Sequence, residues 1–135
     1  GLDEKFKSMI GEQLDIQHKL KPIDRRLGTL KKHIEQAEIY FKYKGKKHLT
    51  EAEQILFTAA HDYLKGVMNG KTALPVKAWK AEYAKLTAER ETLNRRYLAL
   101  KEEVKEAEQI RRSVYNILRQ EQREQQPRRA QNMER

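Results

Sequence analysis

The chain has 135 residues, 36% of them charged and 38% hydrophobic, with no cysteine and a formal net charge of +9. Without cysteine there is no disulfide framework, no Cys-ligated zinc and no thiol nucleophile. No apolar run approaches the ~18 residues that would cross a bilayer, so membrane insertion is not expected. Six glycines and three prolines are few turn formers. Abundant Ala, Glu, Lys, Leu, Arg and Gln point to long helices.

The first predicted element covers residues 3–43. Phe6, Met9, Ile16, Leu20, Ile23, Leu27, Leu30, Ile34, Ala37 and Phe41 recur at steps of three and four, with Gln13 in the one polar slot. That is a heptad seam. Ile10 and Leu14 widen it near the start. Pro22 falls inside the pattern and is expected to kink the helix, and Lys44-Gly45-Lys46-Lys47 ends it. The second element, 50–68, opens on Thr50-Glu51-Ala52-Glu53, a capping-box spacing. Ile55, Leu56, Ala59, Ala60, Tyr63, Leu64 and Val67 supply its apolar face, and Asn69-Gly70 stops it. The third, 76–125, carries Val76, Trp79, Tyr83, Leu86, Leu93, Tyr97, Leu100, Val104, Ala107, Val114 and Leu118 at the same spacing. Ile110 and Ile117 lie beside this seam. Pro127 is expected to limit the helix, leaving 127–135 as a flexible basic tail.

Two long seams and a short helix predict an all-α fold: an elongated, coiled-coil-like antiparallel helical hairpin, with residues 1–126 forming one domain. Narrow seams bury little, so a homodimer is one arrangement open to the chain. Arg90 and Arg111 fill the two seam slots that lack an apolar residue. A guanidinium there needs a partner, either a Glu of the first helix or an anion outside the chain.

Catalytic chemistry has little to stand on. His18, His33, His48 and His61 show no metal-ligand spacing, and the sequence holds no nucleophile elbow or phosphate-binding glycine loop. No enzyme activity, metal or cofactor is expected. The positive charge is the better lead, because it suits nucleic acid, an acidic protein surface or an anionic membrane. Lys42, Lys44, Lys46, Lys47 and His48 cluster at the first turn among Tyr40, Phe41 and Tyr43. Ammonium groups beside aromatic rings suit phosphate contact with base stacking. In the alternative, the rings plug the end of the hairpin and the lysines face water. Lys19, Lys21, Arg25 and Arg26 bracket Pro22, and Arg111, Arg112, Arg119, Arg123, Arg128 and Arg129 run down the last helix into the tail. Candidate DNA contacts are therefore Lys42, Lys44, Lys46, Lys47, Tyr43, Arg112, Arg119, Arg123, Arg128 and Arg129. Trp79 reads as core, with a stacking platform as the other reading.

Three stretches carry a resemblance: Tyr40-Phe41-Lys42-Tyr43-Lys44-Gly45, Ala78-Trp79-Lys80-Ala81-Glu82-Tyr83, and Ala107-Glu108-Gln109-Ile110-Arg111-Arg112-Ser113-Val114-Tyr115. They resemble the C-terminal region of relaxases, the mobilisation nucleases of conjugative and integrative elements in Gram-positive bacteria, and the resemblance runs along the whole chain. It implies a cytoplasmic bacterial protein and a piece of a longer one, as a start on Gly1 also suggests. A relaxase nicks DNA with a tyrosine and a histidine-held metal in an N-terminal domain. Nothing here matches those residues, so the resemblance implies an accessory role: holding DNA non-specifically, or recruiting accessory or coupling proteins of conjugation. The other reading is a structural coiled coil for protein interaction or dimerisation, with no direct DNA contact.

Overall fold

The computed structural model describes the backbone of residues 1–134 and the side chains of residues 1–124. It is all-α: α1 spans Leu2–Tyr43, α2 Glu51–Met68 and α3 Val76–Glu134. Among the described residues there is no strand, and no helix is long and apolar enough to cross a membrane. The chain divides into two compact units, Gly1–Gln17 with Asn94–Arg135, and His18–Leu93.

The first unit is a two-helix pair. Met9 and Ile16 of α1 and Leu100 and Ala107 of α3 are its buried residues, all from the heptad seams. Polar contacts along the edges fix an antiparallel register. Gln17 donates to the Tyr97 hydroxyl at 3.0 Å, and Arg96 holds Glu12 with two bonds of 2.8 and 3.1 Å. Farther along, Arg111 lies 3.6 Å from Asp3. Exposed ion pairs add little stability, but a two-pronged guanidinium–carboxylate fit selects one register. The Arg96 guanidinium in turn holds the Glu12 carboxyl below its usual range.

The second unit is a three-helix cluster. Leu30 and Ala37 of α1, Leu64 and Met68 of α2, and Trp79 of α3 form its core, with Ile34, Tyr63, Tyr83 and Leu86 packed around them. Burying each large apolar side chain contributes about 1.5–3 kcal/mol. Here too α1 and α3 run antiparallel: Arg26 grips Glu82 at 2.6 and 3.1 Å, and Arg90 donates to Asp24 at 2.6 Å. Both seam arginines thus find a partner on α1. Each is an aspartate, where a glutamate was expected.

The capping box at the start of α2 is present in full. Glu53 N–H donates to the Thr50 hydroxyl, and Thr50 N–H donates to the Glu53 carboxylate, both at 3.1 Å. Replacing Thr50 by alanine should cost about 1 kcal/mol of stability in a denaturation experiment; a change within error would show that packing alone sets the start of α2. At the other end Asn69 takes the left-handed conformation and its N–H donates to the Lys65 carbonyl.

His33 is half-buried at the edge of the core of the second unit. Its Nδ1 shares a 2.7 Å hydrogen bond with the Tyr63 hydroxyl, and its ring lies 5.0 Å from that of Trp79. Burial, then the Arg26 charge, hold the imidazole below its ordinary pKa, and burial raises that of the Tyr63 phenol. The unfolded chain therefore binds the His33 proton more readily than the folded one. His33 contributes stability above the ordinary histidine value of about 6.5, and that contribution is lost as pH falls toward the depressed folded value. Melting temperature should fall between about pH 7.5 and 5.5, and less steeply in His33→Asn. Equal slopes in the two proteins would remove His33 from the account.

Two features depart from the sequence reading. Phe41, placed on the seam, is 52% exposed, while Tyr43 is buried. Residues two apart on an α-helix point about 200° apart, so Phe41 and Tyr43 face opposite ways, and at the end of α1 the covered face is that of Tyr43. The second is the end of α3. The helix passes Pro127 and reaches Glu134, where an end near 125 and a tail over 127–135 were expected. A helical proline forfeits one hydrogen bond, and the Gln, Arg and Ala around it favour helix. α1 likewise runs unbroken through Pro22.

Candidate nucleic-acid interface

The last turn of α1, the end of α2 and the connection to α3 enclose an open cleft of about 400 Å³ in the second unit. α1 contributes Tyr40, Phe41 and Lys44. His61, Lys65 and the apolar floor of Leu64 and Met68 come from α2, and Lys71 to Leu74 form the far wall. The chain can turn back here because Gly45 (φ 82°), Asn69 (φ 45°) and Gly70 (φ 91°) all adopt the left-handed region. Lys71 N–H then closes the α2 end on the Met68 carbonyl at 3.0 Å.

Three ammonium groups, Lys44, Lys65 and Lys71, line the cleft, and none of its lining residues is acidic. Clustered positive charge on a partly apolar wall raises the local potential and favours an anion. Aromatic surface lies beside it. Tyr40 stacks on Phe57 with rings 12° apart and 5.5 Å between centroids, and meets Phe41 edge-on at 5.4 Å. Lys44 sits over the Tyr40 ring at 5.5 Å. Phe41, half exposed, offers a face on which a base or another flat group can stack.

The lysines predicted at this turn separate into two kinds. Lys42 and Lys46 both lie over the buried Tyr43 ring, each 5.4 Å from its centroid. The Glu53 carboxyl stays below its usual range first through its bonds to Thr50, with a further contribution from the charges of Lys46 and Lys42. Lys44 also lies over a ring, so it is the Glu53 carboxylate that partly compensates Lys42 and Lys46 and sets them apart. Lys44 lines the cleft, and Lys47 is exposed on the turn. Tyr43 is a plug, and its burial removes it as a stacking face; Tyr40 and Phe41 take that place.

The arginine candidates belong to the first unit. Arg112 pairs with Glu108 of its own helix at 2.9 Å, and Arg119 and Arg123 are exposed. Helical periodicity sets Arg112, Arg119 and Arg123 on one face, opposite Val114. Arg128 and Arg129 lie outside the described side chains. Trp79 is core, 7% exposed. Lys65, Lys71 and His61 are the cleft residues the sequence reading passed over. A signal for Lys71 was available: if Val76 opposes the end of α1, the connection before it must run beside Tyr40 to Lys44. Among the described residues, no group of three or more His, Cys, Asp or Glu is placed to hold a metal ion. No protein-family model matches the chain, and no curated protein or solved structure shows significant similarity to it.

Proposed function

We propose that this chain is a non-catalytic helical accessory region of a relaxase, and that it holds DNA by its phosphates at the lysine–aromatic cleft. The observation that carries the reading is the convergence of Lys44, Lys65 and Lys71 beside Tyr40 and Phe41 with no carboxylate on the cleft wall. Ammonium groups attract backbone phosphate whatever the sequence. Exposed rings favour unpaired bases, which have free faces to stack. The donor and acceptor sets needed to read base edges are not grouped here, so the grip is non-specific. The arginine face of α3 supplies a second track for the phosphate backbone. The link to relaxases rests on the three resembling stretches in the sequence, two of which, Tyr40–Gly45 and Ala78–Tyr83, belong to the second unit, as the cleft does. In that setting the region acts beside a separate nicking domain in a bacterial cytoplasm, with accessory or coupling proteins of conjugation as further partners.

Fluorescence anisotropy with labelled single- and double-stranded oligonucleotides tests the proposal. Binding in the micromolar range at low salt is expected, tighter for the single strand. No binding of either form would overturn it. A second reading, an interaction or dimerisation coiled coil with no direct DNA contact, is favoured by one observation: Ile110, Val114, Tyr115, Ile117 and Leu118 of α3 are each about half exposed.

A further inference from the structure

We propose, resting on the DNA reading of the cleft, that His61 is a fourth cationic contact for phosphate there, engaged in its protonated form, so that the chain takes up a proton from solvent when it grips a strand. His61 lines the cleft together with Lys44, Lys65 and Lys71. It lies one helical turn before Lys65, on the same face of α2. Its ring sits 6.2 Å from that of Tyr40 on α1 and 6.4 Å from that of Phe57 on α2, and those two rings are stacked on each other. The imidazole is thus the third ring of a cluster at the cleft. Its side chain is 52% exposed, within reach of both solvent and a ligand.

Two sets of charges act on that ring. Asp62, the next residue, brings a carboxylate oxygen to 3.4 Å of Nδ1 and favours the imidazolium. The ammonium groups of Lys44 on α1, Lys65 on α2 and Lys71 in the connection line the same cleft and oppose it. Tyr40 is the other titratable group against the ring, and a phenol is neutral through the range in which histidine titrates. A phosphate entering the cleft changes the sum. It offsets the three lysines and adds negative charge near the ring, so the imidazolium is favoured more in the complex than in the free chain. Such coupling is reciprocal: acid tightens the ligand, and the ligand draws in the proton. Histidine changes charge between about pH 5 and 8 while lysine keeps its own, so the pH dependence of binding separates His61 from its three neighbours. His18, His33 and His48 are not among the cleft residues.

Fluorescence anisotropy with labelled oligothymidine, whose bases do not titrate in this range, should show affinity rising about 3- to 10-fold from about pH 8 to about pH 5.5 at fixed salt. His61→Gln should flatten that rise to less than about twofold, and His18→Gln should keep it. His61→Lys, charged at both pH values, should bind at about pH 8 as tightly as wild type does at about pH 5.5. Calorimetry in two buffers of different ionisation enthalpy should record proton uptake on binding by wild type and none by His61→Lys. Circular dichroism checks that every variant stays helical at both pH values. An equal rise in wild type and His61→Gln, or a His61→Lys chain no tighter than wild type at the higher pH, would overturn the proposal and leave the cleft standing as a DNA site. No binding by wild type at either pH would overturn both.

Discussion

Replacing Trp79 by alanine should destabilise the second unit by about 3–5 kcal/mol, the range for removing a large aromatic from a core. Trp79 is 7% exposed and sits among Leu30, Ala37, Leu64 and Met68, so its removal strips a shared contact from all three helices. It also takes the wall from His33, whose ring lies 5.0 Å away. Small domains are stable by only about 5–15 kcal/mol, so the loss should be visible as a lower urea midpoint followed by circular dichroism. A shift of less than about 1 kcal/mol would mean that Trp79 lies against a surface and that the three-helix core is wrongly assigned.

The second large effect concerns binding. The triple variant Lys44→Gln, Lys65→Gln, Lys71→Gln should lose about 10- to 30-fold in DNA affinity near 0.1 M salt, and its log Kd should depend on log salt with a slope smaller by about two to three. Lys42→Gln with Lys46→Gln should cost less than about threefold, because those ammonium groups already lie beside the Glu53 charge. The contrast between the two sets matters more than either value. All five residues are lysines near one end of one unit, and a response that followed net charge alone would make the pair lose two-thirds as much as the triple on a logarithmic scale. That outcome would reduce the cleft to a share of a diffuse positive field.

How far the sequence anticipated this structure depended on how local the determining physics is. The seams of α1 and α3 were legible because a 3.5-residue repeat needs no tertiary knowledge, and Leu30, Ala37, Trp79, Leu100 and Ala107 are buried where that repeat placed them. The α2 start was legible for the same reason: Thr50 and Glu53 satisfy each other within one turn. The repeat failed at its far end, where the covered face of α1 is that of Tyr43 and not that of Phe41. It also gave no sign that His33 would lie against Tyr63 and Trp79, since that contact depends on how α2 crosses the other two helices. The cleft suffered most from this. Lys44 stood out inside a run of lysines, but Lys65 and Lys71 are isolated in the chain and join it only through the placement of α2. Pro127 misled in the other direction, because a breaker was weighed as an end.

The most direct test of the cleft as the DNA site is an amide chemical-shift titration of the isotopically labelled chain with a short single-stranded oligonucleotide. The account predicts the largest shifts at Tyr40 to Lys44, His61 to Lys65 and Lys71 to Leu74, with weaker ones along Arg112 to Arg123. Binding that moved only the α3 arginines, or that left Lys44, Lys65 and Lys71 unmoved at saturation, would contradict it.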